Sequence, residues 1–546
     1  MMHPKVAIAY FITSHGFGHA ARASAVMNAI GTRWPFVHFE IFTQTPEWFF
    51  KDSLGVSYAY HPEMTDVGLV QTSPFCFDES KTLQALDAFL PFDETRIARL
   101  ADMVNLLNCQ LIVCDISPLG LAVASKAGVC SVLVENFTWD WIYASYLPLN
   151  RRFGKHIKYL ENIFGSAGIR VQAAPICLPQ KSALCVPPVS RKQVTLPSEI
   201  RNQLGIPPSV PMILITLGGI PETLSFTDAL NDYPEPVYFV VPGILPDMPA
   251  AGQKQGHVIF LPHHSGFYHP DLIAAADAVV GKVGYSTLAE VYHAGVPFGY
   301  IPRSDFPESG VFESYIKKNM AGVRIQEADF YSGDFLSTLP HLLSFSRRTV
   351  NEPNGADVVA GYICCSLACK KEIIEVVDRE GRVVGAAPRD CVHGDNRLLH
   401  RVVHVLVCDA GNRLLLQKRS LNKKVAPGRW DTSVGGHVDC GEAIEDAMLR
   451  EMEEELGIRP DMPCYAYQYI HTNNVESELV FTYICRYDGP IRFNPEEIDA
   501  VKFWTTAEIE TAVGRGVLSD NFEDEFQRYR RWASVAPEGN GGSGSL

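Results

Sequence analysis

The 546-residue sequence lacks a long hydrophobic run and lacks an excess of basic residues. Its first apolar run, Val6 to Ile12, is too short to cross a bilayer and continues into Gly- and His-rich sequence, without a small-residue cleavage site. The net charge of −15 argues against a nucleic-acid or anionic-membrane binder, because such surfaces must be net basic. We therefore expect no signal peptide, no membrane span and no nucleic-acid partner.

Hydrophobic residues make up 47% of the chain and charged residues 20%, which are ordinary values for folded protein and argue against extended disorder. The 14 cysteines are scattered, and several, such as Cys114 and Cys408, lie inside apolar runs with the pattern of buried strands. Such cysteines are typical of reduced core thiols. The sequence therefore predicts a cytoplasmic, multidomain, globular protein.

Short apolar runs alternate with amphipathic, helix-length stretches over the first 363 residues. That alternation is typical of βαβ units and a parallel sheet, whose strands are buried on both faces. A proline-rich stretch from 187 to 211 interrupts the pattern, and strands dominate after Lys370. We predict an α/β protein with two Rossmann-like halves, residues 1–190 and 191–369, then an α+β domain over 370–537 and a flexible tail over 538–546.

One strongly acidic helix is predicted over residues 443–456 of the C-terminal domain. Glu451, Glu454 and Glu455 lie at positions i, i+3 and i+4, so the three carboxylates share one helix face. Like charges at this spacing repel unless a cation lies among them, and hard oxygen ligands suit Mg²⁺ or Mn²⁺ bridged to substrate phosphates. Glu442 is out of phase with this trio, and we expect it to pair with Arg450.

From Gly436 to Ile458 the chain matches the Nudix box at every defined position, and the domain is identified as a member of that family. The resemblance implies a metal-dependent diphosphate hydrolase with Mg²⁺ or Mn²⁺. It implies metal ligands at Glu451, Glu454, Glu455 and Glu442, catalytic roles for Glu454 and Glu455, and supporting roles for Arg450 and Gly436.

The segments flanking the box, between Leu399 and Asp431, resemble the Nudix branch that contains isopentenyl-diphosphate isomerase and uncharacterised hydrolases. Where the isomerase carries its catalytic Cys before a Ser-His pair, this chain has Gly435, Gly436 and His437. Without that thiol, hydrolysis is favoured over isomerisation, which stays the alternative. His400 and His437 are open as metal ligands or as ordinary strand histidines.

Two turns in the first 360 residues carry chemistry. The segment from Ser14 to Arg22 is a glycine-relieved turn at the end of the first strand, where open α/β sheets place their ligand crevice. A histidine there can act as a general base near neutral pH. The second turn, from Gly281 to Thr287, leads into a helix whose N-terminus attracts phosphate, and Glu290 can accept two hydrogen bonds.

The stretch from Asp271 to Arg303 resembles the donor-binding half of GT-B glycosyltransferases such as the bacterial peptidoglycan transferase. The first turn resembles nucleotide-sugar hydrolases of that fold and the glycosyltransferase-like region fused to some sugar kinases. The resemblance implies a nucleotide-sugar bound between the halves and glycosyl transfer, with hydrolysis or simple ligand binding as alternatives. It implies His19 as catalytic base, and substrate binding by Gly16, Gly18, Arg22, Gly218, Gly219, Gly284, Ser286, Thr287 and Glu290.

The sequence thus predicts a bifunctional protein, a GT-B module joined to a Nudix diphosphatase. Its expected partners are nucleotide-sugars and other small molecules that contain a diphosphate. We further predict that His19 and Glu290 face each other across one cleft, because each follows a strand of its own Rossmann-like half.

Overall fold

The computed structural model describes residues 6–73, 75–181, 183–217, 226–243, 253–262, 264–371, 373–421, 426–460 and 463–535. The chain divides into two compact units, one comprising Val6–Cys365 and the other beginning at Ser366. Within the described ranges, no helix has both the length and the apolar composition that crossing a bilayer requires.

The N-terminal half of the first unit is a seven-stranded, all-parallel sheet in the order β3-β2-β1-β4-β5-β6-β7. The apolar runs become its central strands because helices cover both faces of the sheet. The elements are β1 Val6–Ile12, α1 Phe17–Arg33, β2 Val37–Thr43, α2 Glu47–Ser53, β3 Ser57–Pro62, α3 Glu79–Phe89, α4 Glu94–Leu106, β4 Cys109–Asp115, α5 Pro118–Ala127, β5 Ser131–Glu135, α6 Trp139–Ala144, α7 Phe153–Gly165, β6 Ile169–Ala173 and β7 Leu184–Val186.

A second seven-stranded sheet follows, in the order β10-β11-β9-β8-β12-β13-β14 and parallel except for β10. The two sheets confirm the predicted pair of Rossmann-like halves. The elements are α8 Pro197–Gln203, β8 Met212–Thr216, α9 Thr227–Asn231, β9 Tyr238–Pro242, β10 Gln253–Gln255, β11 Val258–Leu261, α10 His269–Ala275, β12 Ala278–Lys282, α11 Tyr285–Ala294, β13 Phe298–Ile301, α12 Ser309–Asn319, β14 Gly322–Arg324, α13 Glu327–Ser332, a 3₁₀ helix Asp334–Thr338, α14 Leu339–Leu343 and α15 Gly355–Lys371.

The second unit is a nine-stranded mixed sheet whose central strand, β17, pairs with β15, β18 and β20 antiparallel and with β22 parallel. The elements are β15 Ile373–Val377, β16 Val383–Pro388, α16 Arg389–Val392, β17 Leu399–Cys408, β18 Leu414–Arg419, β19 Trp430–Asp431, β20 Val434–His437, α17 Ile444–Leu456, β21 Cys464–Thr472, β22 Ser477–Arg486, β23 Ile498–Trp504, α18 Thr506–Ala512 and α19 Asp520–Val535.

Alternation along β17 places its side chains in two separate cores. Val403 and Val405 pack in the cluster that contains Met448 and Met452 of α17, whereas Leu406 packs in the cluster of α18 and α19. The second unit is therefore a sheet with the acidic helix on one face and α19 on the other. Strand β17 carries two histidines, His400 and His404, on the α19 face of the sheet.

Candidate functional sites

Gly436 of β20 provides the close approach between the sheet and the acidic helix α17. A Cβ at this position would lie 1.9 Å from Cδ of Glu451 and 2.3 Å from its Oε1, so the Glu451 side chain would have to move. At the other end of α17, Gly457 adopts φ 63° and caps the helix in the left-handed conformation. Gly436 thus leaves room for the Glu451 side chain, and Gly457 provides the backbone conformation that ends the helix.

Arg450 of α17 connects the helix to the segment that precedes it. Its Nε and Nη2 donate to the two oxygens of Glu442, each at 2.9 Å, and Nη1 donates to Oε1 of Glu451 at 2.6 Å. Nη2 also donates to the carbonyl of His437 at 2.9 Å. Burial alone would raise the pKa of Glu442, but the bond to Arg450 holds it below its usual range. The pairing of Glu442 with Arg450 is as the sequence predicts.

The three helix carboxylates have different surroundings. Glu455 is buried, and its Oε2 accepts hydrogen bonds from Gly435 N–H and Gln417 Nε2, both at 3.1 Å. Glu451 is partly buried, which is the main reason that its pKa is raised. Glu454 is 59% exposed and touches Arg450 at 3.3 Å. The trio shares one helix but does not form one compact ligand set, and its role in metal binding stays a prediction.

Compact groups of possible metal ligands occur elsewhere in the second unit. Across the described residues, two sets of three side chains come within 4.8 Å of one another, His393 with His400 and His437, and His400 with Glu476 and Glu478. Neither set includes the glutamates of α17. His400 belongs to both, so the two sets form one His-Glu cluster, comprising His393, His400, His437, Glu476 and Glu478.

Inside the His-Glu cluster, His400 is completely buried, and among the described residues neither of its ring nitrogens has a side-chain hydrogen-bond partner. The Nε2 atoms of His393 and His437 lie 2.9 Å apart, and Nδ1 of His393 lies 2.5 Å from Oε2 of Glu476. Burial, assisted by His393, lowers the pKa of His400 to about 4, which keeps the imidazole neutral and able to coordinate. An orphaned buried donor or acceptor costs about 1–3 kcal/mol, and a coordinated cation would remove that cost.

The ligand chemistry of the His-Glu cluster fits a divalent cation, because mixed imidazole and carboxylate donors suit first-row transition metals. Sequence reasoning left His400 and His437 open and missed His393, Glu476 and Glu478. The register explains the placement, since Glu478 of β22 pairs directly with His400 of β17. The alternation of Glu476 and Glu478 at the start of a strand was the signal that could have revealed them.

In the first unit, the turn after β1 places His19 against a carboxylate. Gly16 precedes α1 with φ 73°, a conformation that favours glycine. Nδ1 of His19 lies 3.0 Å from Oδ1 of Asp115, at the end of the neighbouring strand β4. The Arg22 guanidinium binds both oxygens of the same carboxylate, with Nε donating to Oδ2 at 2.8 Å and Nη2 to Oδ1 at 2.6 Å. Arg22 also donates to Asn136 Oδ1 at 2.6 Å.

These contacts set the protonation of the pair. Burial alone would raise the pKa of Asp115, but Arg22 and His19 hold it below its usual range, so the carboxylate stays ionised. Burial lowers the pKa of His19, and the bond to Asp115 opposes that only in part. A neutral His19 that donates from Nδ1 to Asp115 leaves Nε2 as the proton acceptor. Asp115 was missed by sequence reasoning.

The two predicted turns of the first unit come together. A Cβ at Gly18 would lie 3.5 Å from Oγ of Ser286, so α1 and the start of α11 are in close proximity. The Arg22 guanidinium lies 4.7 Å from the ring centre of Tyr285, and Gly284 is the N-cap of α11. Thr287 lies in the buried first turn of α11. The predicted site residues Gly218 and Gly219 lie outside the described residues.

Glu290 lies on α11 with both carboxylate oxygens engaged by protein groups. Oε1 accepts from Arg191 Nε at 2.9 Å, and Oε2 lies 3.0 Å from Nδ1 of His269. Burial alone would raise the pKa of Glu290, but Arg191 and His269 lower it. Arg191 and Tyr268 line a cavity of about 680 Å³ between the two halves. The ribose-binding role of Glu290 stays a prediction, and Arg191 and His269 were not foreseen.

The NUDIX domain family matches residues 398–522. The isopentenyl-diphosphate Delta-isomerase of Streptomyces avermitilis is 35% identical over 143 residues, which are 25% of this chain and 73% of that protein. An uncharacterised Nudix hydrolase of Streptomyces coelicolor is 31% identical over 173 residues, which are 31% of this chain and 95% of that protein. Through its C-terminal unit, the chain belongs to the Nudix family.

For the first unit, the L-arabinokinase of Arabidopsis thaliana is 25% identical over 358 residues, 64% of this chain and 33% of that protein. The chain therefore spans about one third of the length of that relative. The structure of the calicheamicin glycosyltransferase CalG4 covers 68% of this chain and 99% of that protein at 14% identity, with a TM-score of 0.46. The two seven-stranded sheets of the first unit confirm the predicted α/β fold with two Rossmann-like halves.

Proposed function

We propose that the C-terminal unit is a metal-dependent hydrolase of small molecules that contain a diphosphate. The observation that carries the proposal is the close contact between Gly436 and Glu451 of α17. Beside this contact, Glu451, Arg450 and Glu442 form one hydrogen-bonded group. An exposed acidic helix without a function needs neither that glycine nor that arginine. The family match over residues 398–522 supports the same conclusion.

In this proposal Glu451, Glu454 and Glu455 would hold Mg²⁺ or Mn²⁺, and Glu442 would be a further ligand or hold Arg450 in place. A cation bound there would supply neutralisation of the phosphate charge. Gly435 N–H fixes Glu455, and Arg450 fixes Glu451, so the chain orients two carboxylates before substrate arrives. The His-Glu cluster offers a second cation site with softer ligands.

The His-Glu cluster and the isomerase relatives favour one other candidate, isomerisation of an isopentenyl diphosphate. Position 435, where the isomerase resemblance expects the catalytic thiol, is glycine, and this favours hydrolysis. Incubation with isopentenyl diphosphate distinguishes the two reactions, because isomerisation conserves the diphosphate whereas hydrolysis releases phosphate.

For the first unit we infer transfer of a sugar from a nucleotide-sugar, with His19 as the base that takes a proton from the acceptor hydroxyl. Asp115 fixes the tautomer of His19, and Arg22 keeps Asp115 ionised. The contact between Gly18 and Ser286 supports a ligand crevice shared by the two halves. Hydrolysis by the same base, or ligand binding without catalysis, are the rival outcomes.

One assay separates cleavage by the Nudix unit from reaction in the first unit, because the two break different bonds of the same substrate. A panel of nucleotide-sugars with Mg²⁺ is incubated with the full chain, and the nucleotide products are resolved. Nudix cleavage breaks the phosphate–phosphate link and gives a nucleoside monophosphate and a sugar phosphate. The GT-B unit breaks the sugar–phosphate link and gives a nucleoside diphosphate. Absence of any monophosphate from the whole panel would contradict the hydrolase proposal.

A further inference from the structure

A second histidine of β17, His404, lies on the α19 face and belongs to neither ligand set of the His-Glu cluster. It is 4% exposed and its Nδ1 lies 2.6 Å from Oε2 of Glu525, a residue of α19 with no exposed surface. A charged pair buried this completely is costly unless its groups are fully hydrogen-bonded.

Glu525 is fully hydrogen-bonded, because three hydroxyl groups donate to it in addition to His404. Tyr469 donates to Oε2 at 2.5 Å, while Tyr467 and Thr482 donate to Oε1 at 2.8 and 2.9 Å. Burial alone would raise the pKa of Glu525, but His404 and the tyrosines hold it below its usual range. An ionised Glu525 accepts the proton of Nδ1, so the reactive nitrogen of His404 is Nε2.

The Nε2 edge of His404 is left uncovered by a glycine. Gly435 is the direct cross-strand partner of His404, and a Cβ at Gly435 would lie 3.3 Å from Cδ2 and 3.5 Å from Nε2 of the ring. Any larger side chain at 435 would extend over this edge. Over the part of the chain that the structure describes, no residue hydrogen-bonds Nε2 of His404.

The position of Gly435 connects His404 to the proposed reaction site. The N–H of Gly435 donates to Glu455, a predicted ligand on α17, and His437 of the His-Glu cluster lies two residues along the same strand. Nε2 of His404 therefore lies beside the short segment of β20 that separates the two groups of metal-ligating side chains. Gly435 therefore adjoins the His404 ring and also donates to Glu455.

We propose that His404 is the proton donor of the Nudix unit and that Glu525 is its positioning residue. The inference rests on the proposed hydrolase function. As the oxygen of water forms a bond to one phosphorus, the bond from that phosphorus to the bridging oxygen breaks, and its electron pair stays on the bridging oxygen. Nε2 of His404 gives its proton to that oxygen, and the attacking water releases a proton to solvent.

The paired variants are His404→Gln and His471→Gln in the full chain. His471 is the matched control, because it also faces a carboxylate of α19, Asp524, at 3.4 Å. The substrate is the nucleotide-sugar that the unsubstituted chain converts fastest to a monophosphate. We expect His404→Gln to lower kcat about 100-fold or more with KM little changed, the usual scale for losing a general acid. His471→Gln should stay within about threefold.

A purely structural role for His404 predicts the opposite pattern, lower thermal stability with unchanged kcat per folded molecule, and that result would overturn the proposal. Should His404→Gln fail to fold, Glu525→Gln supplies the test, since it keeps the volume and one acceptor oxygen but removes the charge. It should lower kcat at constant KM, and Glu525→Asp should restore part of the loss. If both Glu525 variants have the same kcat as the unsubstituted chain, the proposal for His404 and Glu525 is wrong but the hydrolase function stands. If the unsubstituted chain shows no turnover, the proposed hydrolase function is itself wrong.

Added imidazole provides an independent readout. His404→Gly opens a space beside Gly435 that can admit the free base, so imidazole should raise the kcat of this variant at least about tenfold, and it should leave His471→Gln unchanged. A kcat that rises with imidazole concentration supports proton donation, because imidazole can replace a missing proton donor but does not restore a lost packing contact. A folded His404→Gly variant whose rate does not respond to imidazole contradicts the proposal.

Discussion

Replacement of Gly436 by alanine tests the close contact between Gly436 and Glu451 of the acidic helix. The new methyl group would lie 1.9 Å from Cδ of Glu451, and ordinary contact begins at 3.4 Å, so the carboxylate must retreat by about 1.5 Å, which is 3.4 minus 1.9. Because the glutamate stem is flexible, the chain should absorb the methyl group for about 1–3 kcal/mol of stability. A displacement of about 1 Å at a reaction centre lowers the rate about 100-fold.

We therefore expect Gly436→Ala to lower kcat for monophosphate release about 100-fold while thermal unfolding shifts by only a few degrees. Gly411→Ala is the matched control in the same unit, because the nearest atom to its added Cβ is 3.4 Å away. Monophosphate release and thermal unfolding are measured for both variants. Gly436→Ala with kcat within about threefold of the unsubstituted chain would refute the role of this contact.

Four further outcomes follow from the contacts in the two units. Glu454→Gln should lower monophosphate release by orders of magnitude without unfolding the chain, and chelation of divalent cations should do the same; full activity in excess chelator would refute this. Asp115→Asn should lower sugar transfer far more than nucleotide binding, measured by calorimetry, because it leaves His19 with the wrong tautomer. Since burial depresses the pKa of His19, the base form persists to lower pH, and we expect the acid limb of the transfer rate below pH 6.5. Glu290→Ala should weaken nucleotide binding by about 1–3 kcal/mol, and unchanged affinity would exclude it from the donor site.

The sheets of the first unit could be predicted from sequence because their strands are buried on both faces. Runs such as Val6–Ile12 and Met212–Thr216, of which only Thr216 is polar, match β1 and β8. The acidic helix was predictable for a different reason, since its turn, its charges and its left-handed cap at Gly457 are all local in sequence. Patterns that are local in sequence were therefore sufficient to predict these strands and this helix.

The sites were predictable only where their residues are neighbours in sequence. Asp115 lies 96 positions from His19, and the two meet because β4 is beside β1 in the sheet. The His-Glu cluster draws on several separate segments of the chain, and only the register of β17 with β20 and β22 brings them together. Helical phase correctly placed Glu451 and Glu455 on α17, but it could not show that Arg450 and Gly435 already engage them.

The central claim is that one chain carries two independent sites that break different bonds of a nucleotide-sugar. Product analysis of the full chain, Glu455→Gln and His19→Ala on the same nucleotide-sugar panel tests this most directly. The account predicts that Glu455→Gln loses the nucleoside monophosphate and keeps the diphosphate, and that His19→Ala does the reverse. Loss of both products in either variant, or retention of both in both variants, would contradict it.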